Sequence, residues 1–266
     1  MSSPPRVPVA VVTGAAGKLG PVWTGGLLEA GYLVAALAFP GTEDDPALAL
    51  LRAAHENSLV VIGADVTSRD DLEEAAESVA TRWDVPSVLV NNAGVDAPPA
   101  PGRGTLLQDL PAEVFRRVLD VNVLGAFQVM QVFGSRMSAA GGGSIINVGS
   151  LYASVSPDQR MYDHMPMDPP FLKPPAYGAS KAGLVNLTRY FATHLAGTGV
   201  RVNALSPGGV LGGQDEEFIA KFSARVPLGR LADPQELVGP LLFLASDASS
   251  YVTGIELKVD GGFTAW

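Results

Sequence analysis

Tyr177 and Lys181 stand four residues apart in the run Tyr177-Gly178-Ala179-Ser180-Lys181. On a helix this spacing places both side chains on one face. An ammonium beside a phenol favours the phenolate and draws a group that titrates near 10 in water towards a range useful for proton transfer. Two other runs carry polar groups where apolar strands end. Ser144-Ile145-Ile146-Asn147-Val148-Gly149-Ser150 sets a hydroxyl just past one strand, and Asn91-Asn92-Ala93-Gly94 closes another. Asp120-Val121-Asn122 puts an amide inside a long, mostly apolar helical stretch, where a buried polar group must find a partner. Thr13-Gly14-Ala15-Ala16-Gly17-Lys18-Leu19-Gly20 is a glycine-rich turn between a strand and a helix. Such a turn lets the backbone approach a pyrophosphate at the helix N-terminus, where N–H groups lack partners.

These groups need elements to bring them together. Strands are expected at Val9–Thr13, Leu33–Ala38, Val60–Ala64, Ser87–Asn91, Ser144–Val148, Val200–Leu205 and Glu256–Val259. Most lack polar alternation, as strands buried on both faces of a parallel sheet do. Helices are expected at Lys18–Ala30, Asp70–Trp83, Pro111–Met137, Tyr177–Ala196 and Pro234–Ala245. Strand and helix in alternation predict an α/β, doubly wound parallel sheet with helices on both faces, whose carboxyl edge binds ligands. The chain shows no solenoid repeat and no dividing linker, so one domain is expected over residues 7–266 after a flexible tail at 1–6.

Composition narrows the chemistry. The chain has 266 residues, no cysteine and three scattered histidines, His55, His164 and His194, so thiolate catalysis and a metal centre are not expected. A net charge of −9 without a Lys/Arg cluster argues against nucleic acid. No run reaches the roughly 18 apolar residues of a membrane span, and prolines occupy the N-terminus. A soluble, cytoplasmic protein acting on a small molecule, with no membrane partner, is the expectation.

Thr13 to Gly20, Asn91 to Gly94, Asn122, Ser150, Tyr177 with Lys181, Pro207-Gly208 and Val259-Asp260-Gly261-Gly262 resemble, in order, the motifs of the short-chain dehydrogenase/reductase family. The resemblance covers residues 7 to 264 and implies a Rossmann-type, seven-stranded sheet, a nicotinamide cofactor and hydride transfer at an alcohol or ketone carbon. It makes Tyr177 the acid or base, and it has Lys181 lower the tyrosine pKa and hold the nicotinamide ribose. Ser150 would bind the substrate oxygen, and Asn122 would hold a water in a proton relay. The cofactor would lie against Gly14, Gly17, Lys18, Leu19, Gly20, Phe39, Asp65, Val66, Asn92, Ala93, Gly94, Pro207, Gly208 and Val210, besides Tyr177 and Lys181. Homodimers or homotetramers built on the long helices are also implied, with a second contact near the C-terminus.

Three departures refine that expectation. Lys18 stands where the family usually has the middle glycine of the turn. Ala38, followed by Phe39 and Pro40, replaces the acid that holds the adenosine ribose and repels a 2′-phosphate. NAD(H) and NADP(H) both remain open, with a slight preference for NADP(H), although Glu43, Asp44 and Asp45 follow closely. Ser150 and Tyr177 are separated far more than is usual in the family, by an insertion over residues 152–176 that carries six prolines and three methionines. Beginning and ending at the active-site mouth, it is expected to form a substrate loop presenting Tyr152, Arg160, His164 and Lys173. The flanking residues resemble a subgroup of sugar-pathway oxidoreductases, which implies a polar, carbohydrate-like substrate. A reductase of 3-oxoacyl or other ketones is the alternative, and a non-catalytic cofactor-binding regulator is the alternative of another class.

Overall fold

The computed structural model describes residues 7–96 and 104–266; the tail expected at 1–6 lies outside them. Seven strands form one parallel sheet in the order β3-β2-β1-β4-β5-β6-β7. They are β1 (Val9–Thr13), β2 (Leu33–Ala38), β3 (Leu59–Gly63), β4 (Val88–Asn91), β5 (Gly143–Val148), β6 (Val200–Pro207) and β7 (Glu256–Val259). The chain first winds from β1 outward to β3, then returns to the other side of β1 with β4. Between β1 and β4 the loops diverge and leave the crevice where such sheets bind ligands.

Alternation along β1 shows how the two layers arise. Val9 and Val11 face one apolar cluster with Leu72, Val79, Phe133 and Phe191, whereas Ala10 and Val12 face the other with Trp23, Leu27, Leu48 and Leu241. The first layer holds α3 (Arg69–Arg82), α5 (Ala126–Ala139) and α6 (Pro175–Leu195). The second holds α1 (Gly20–Glu29), α2 (Pro46–Ala54) and α8 (Val238–Ala245). Helix starts carry recognisable caps, with Asp45 accepting from Ala47 and Leu48 N–H at α2 and Ser68 accepting from Asp71 N–H at α3.

The helix expected at Pro111–Met137 is interrupted. It consists of α4 (Ala112–Leu119), a π-helical turn over Asp120–Gly125, and α5. The whole run Ala112–Ala139 is long and apolar enough to cross a membrane by length and composition, which the count of apolar runs did not anticipate. Half of its most apolar 18-residue window is buried, and Val129, Phe133 and Met137 pack on the sheet, as in the core helix of a globular fold. Two short helices were also not anticipated, α2 and α7 (Glu216–Ser223).

The 152–176 segment is built into the fold. It forms 3-10 turns at Leu151–Ala153 and Gln159–Tyr162 and packs Met161, Tyr162 and Phe171 against Phe222 of α7 and Phe263 near the C-terminus. Tyr162 meets Phe171 at 4.8 Å and Phe218 at 5.5 Å between ring centroids, and Phe222 stacks on Phe263 at 4.9 Å. This third cluster makes a wall beside the carboxyl edge of the sheet.

Candidate active site

The floor of the crevice is a lattice of amides. Thr13 Oγ1, at the end of β1, accepts from the N–H groups of Asn92 and Ala93 at 3.0 Å each. Asn92 Nδ2 donates to the carbonyls of Thr13 and Gly14 at 3.0 Å, and its Oδ1 accepts from Trp23 Nε1 at 2.9 Å. Asn91 Nδ2 reaches Asn147 Oδ1 at 3.1 Å, and Asn147 Nδ2 reaches Thr188 Oγ1 at 2.9 Å. These bonds lock the glycine turn to the loop after β4. Asn92 serves as this clasp, and Gly14 is held so close to Ala93 that a Cβ, already strained at its φ of 62°, would come within 2.6 Å of Ala93 Cα.

Ser150 follows β5, and Tyr177 and Lys181 share one face of α6, with the Lys181 Nζ 5.6 Å from the Tyr177 ring centroid. Lys181 is buried and donates to the Val148 carbonyl at 2.7 Å; burial pulls its pKa down to about 8. Tyr177 differs from expectation. Burial and the Asp96 carboxylate push its phenol above the ordinary tyrosine value, and a hydrogen bond from Ser150 opposes them. The expected lowering by Lys181 does not dominate, because that ammonium is turned to the Val148 carbonyl.

Asn122 is buried in the π-helical turn. Its Oδ1 accepts from Val95 N–H at 2.7 Å, while Nδ2 donates to the Val95 carbonyl and to Ser180 Oγ at 3.0 Å each. The amide is therefore engaged as a clamp between the β4 loop and α6. In the same turn Gly125 lies against Val66, where a Cβ would come within 2.8 Å.

The expected cofactor residues line the same edge. The glycine turn closes with Gly17 N–H on the Gly14 carbonyl and Gly20 N–H on the Gly17 carbonyl, both at 3.0 Å. Lys18 is exposed, Leu19 stands at the N-cap of α1 and supplies no side-chain hydrogen bond to it, and Gly20 packs on Ala15. An uncapped helix start behind a turn that excludes side chains fits a pyrophosphate. Gly94 lies beside Asn122 and Lys181, and Gly208 sits so near Asp260 that a Cβ would come within 2.7 Å of its Cα. Pro207 ends β6, and Val210 bridges to Ala232. At the far end Asp65 Oδ1 is taken by Thr67 N–H and Oγ1 at 2.8 Å, Val66 is buried, and Phe39 is exposed. Glu43, the first of the three acids that follow Pro40, folds back so that its carboxylate covers Gly63, the partner of Ala38 in the β2–β3 register.

The insertion divides. Tyr152 meets the Tyr177 ring edge-on at 6.4 Å, and the Lys173 ammonium lies 5.4 Å from the same ring centroid, paired with Asp96. Arg160 and His164 are not brought to Tyr177. Arg160 is exposed and held by Asp158 at 2.7 Å, which also holds Arg225 at 2.8 Å. His164 stands 2.9 Å from Asp215 and 3.2 Å from Lys221 Nζ, against α7. The nearby carboxylates of Asp163 and Glu217 converge on that same Lys221 ammonium, which occupies the centre a cation would take. Asp96 escaped sequence reasoning because its partner Lys173 is brought to it only by folding.

Known proteins place this arrangement. A family model described as Enoyl-(Acyl carrier protein) reductase matches residues 14–264. The chain is 37% identical over 261 residues to cis-4-hydroxycyclohexanecarboxylate dehydrogenase of Sinomonas cyclohexanicum, covering 97% of this chain and 96% of that protein. It is 34% identical over 264 residues to D-threitol dehydrogenase of Mycolicibacterium smegmatis, covering 96% and 92%. The crystal structure of a putative NAD(P) dependent gluconate 5-dehydrogenase from Beutenbergia cavernae, with bound NADP at low occupancy, superposes with a TM-score of 0.82 at 34% identity, covering 98% of each chain. With the glycine turn, the Ser150, Tyr177 and Lys181 constellation and the seven-stranded sheet all accounted for, the chain belongs to the short-chain dehydrogenase/reductase family.

Proposed function

We propose that the protein is an NAD(P)(H)-dependent oxidoreductase that interconverts a secondary alcohol and a ketone on a polar, carbohydrate-like substrate. The observation that carries this reading is the Tyr177 phenol, bonded to Ser150 and flanked by Lys181 at the edge of the sheet next to the glycine turn. A bound nicotinamide cofactor supplies the hydride acceptor or donor. Gly14, Gly17 and the start of α1 hold its pyrophosphate, Asn92 to Gly94 and Pro207, Gly208 and Val210 shape the slot for its nicotinamide half, and Asp65 and Val66 bound its adenine end.

Ser150 holds the substrate oxygen and Tyr177 moves the hydroxyl proton, taking it in oxidation and returning it in reduction. Lys181, on the same face of α6 and bonded to the Val148 carbonyl, would hold the nicotinamide ribose. Asn122 keeps the loop after β4 in register with α6.

Two features act on cofactor choice in opposite directions. Ala38 leaves room for a 2′-phosphate, the basis of the expected slight preference for NADP(H), whereas the Glu43 carboxylate beside it opposes one. Both cofactors are therefore retained, with Glu43 as the residue that limits NADP(H).

The relatives named for a hydroxycyclohexanecarboxylate and for threitol support a polar, ring- or polyol-like substrate. The 3-oxoacyl alternative draws on the family description; Met161 is buried in the third cluster, and Met165 and Met167 pack against it while staying partly exposed. Initial rates on polyols and on a 3-oxoacyl thioester analogue separate the two; turnover of the thioester alone contradicts the carbohydrate reading. The same reading carries a cytoplasmic location and a homodimer or homotetramer. Exposed Leu107 and Val114 around α4, and Tyr251 and Ile255 before β7, are the apolar faces that would be covered.

A further inference from the structure

Trp23 lies in the first turn of α1, the helix that begins where the glycine turn ends, and it is the largest fully buried side chain among the described residues. Its ring belongs to the second apolar cluster with Val12, Leu27, Leu237 and Leu241, so close packing of the core fixes its position. Indole carries a single polar group, an N–H that donates and never accepts. Trp23 Nε1 donates to Asn92 Oδ1 at 2.9 Å. A rigid donor in the interior is thereby aimed at the residue that clasps the glycine turn.

Asn92 directs both amide hydrogens at that turn, to the Thr13 and Gly14 carbonyls at 3.0 Å each. The Gly14 carbonyl accepts from Gly17 N–H as well, at 3.0 Å, and Gly14 itself holds a φ of 62°. A carbonyl occupied in this way keeps its negative end within the protein, whereas a released one is free to turn towards an anion and repel it. Removing the indole N–H leaves Asn92 Oδ1 beside a fully buried ring with no donor, and an unmet acceptor of that kind is costly. Asn92 is partly exposed, so its amide regains a partner by rotating towards solvent, at the loss of both carbonyl bonds. The hydrogen-bond path from Trp23 to the turn thus runs through one amide.

We propose that Trp23 is the positioning residue of the pyrophosphate turn: its indole N–H, acting through Asn92, holds the Thr13 and Gly14 carbonyls in place and so sets the affinity for the pyrophosphate of the nicotinamide cofactor. This role rests on the cofactor reading above and deepens it, since it gives the grip on the pyrophosphate to a side chain in the core.

The test deletes the N–H and keeps the ring, by placing benzothienylalanine, in which sulfur replaces the indole nitrogen, at position 23 through nonsense suppression. NADH and ADP-ribose are titrated by calorimetry, and adenosine, which has no phosphate, by ligand-observed NMR. The replacement raises the dissociation constants of NADH and ADP-ribose by about tenfold and leaves that of adenosine at the parent value, the effect of one hydrogen bond felt at the pyrophosphate alone. Trp23→Phe, which lacks the same N–H, reproduces the loss for ADP-ribose relative to adenosine, and the volume it also removes shows in a lower unfolding midpoint. A merely structural role weakens all three ligands alike. That result, or ADP-ribose bound equally by the parent and both replacements, overturns this role and leaves the cofactor reading standing. A parent that binds neither NADH nor ADP-ribose overturns the cofactor reading and this role with it.

Discussion

Asn122 holds the main chain of Val95 on both sides, accepting from its N–H at 2.7 Å and donating to its carbonyl at 3.0 Å. The remaining amide hydrogen goes to Ser180 Oγ, next to Lys181 in the chain. One side chain in a widened helical turn therefore ties the loop that carries Gly94 to the helix that carries Tyr177.

Replacing Asn122 with Ala orphans the Val95 N–H and carbonyl and one bond of Ser180. The expected loss is about 1–3 kcal/mol of unfolding free energy by urea titration, because unmet polar groups cost about that much when half-buried. A fall in kcat larger than the change in cofactor affinity should accompany it. An unfolding midpoint equal to the parent's contradicts the clamp.

Asp158 anchors the insertion to the chain after α7. The Arg160 guanidinium, with help from Arg225, holds its carboxyl down at about 2. The folded value lies below the unfolded one, so the associated stability is fully present above about pH 4 and drains away as pH falls through about 2. Thermal unfolding of Asp158→Asn should lie below the parent at neutral pH and converge on it as the pH approaches about 2. Parallel curves across that window would show that Asp158 gains nothing from its arginines.

Cofactor choice is tested at Glu43. Glu43→Gln removes the negative charge that covers Gly63 while keeping the side chain's size. The NADP(H) dissociation constant should fall relative to that of NAD(H) by about three- to tenfold, in line with one partly exposed charge. Fluorescence titration with NADH and NADPH reads this directly, and a ratio that does not move assigns the discrimination elsewhere.

The strand ends and the Tyr177–Lys181 face were legible because strand, turn and helix signals there are local. All seven strands fall within two residues of their expected limits, since runs such as Val9–Thr13 are buried on both faces and have no polar register to mislead. The short helices α2 and α7 were not read, although Asp45 before Pro46 and Asp215 before Glu216 are cap signals. Inside the insertion, composition pointed to Arg160 and His164 as substrate groups. Asp158, two residues before Arg160, takes the first, and α7 takes the second through Asp215 and Lys221. Asp96 was invisible for the opposite reason: its partner Lys173 is 77 residues away in sequence, and only the closed fold pairs them.

The central claim is proton transfer by Tyr177 during hydride transfer to or from a polyol carbon. Its most direct test measures reduced-nicotinamide formation from threitol and galactitol by the parent and by Tyr177→Phe, with NADH affinity determined for both. The account predicts polyol oxidation by the parent and a loss of about a hundredfold to ten-thousandfold in kcat for the variant, with NADH still bound. A variant that keeps most of the parent's rate contradicts the account. So does a parent that binds NADH and oxidises nothing across a broad alcohol panel, which is how a cofactor-binding regulator would behave.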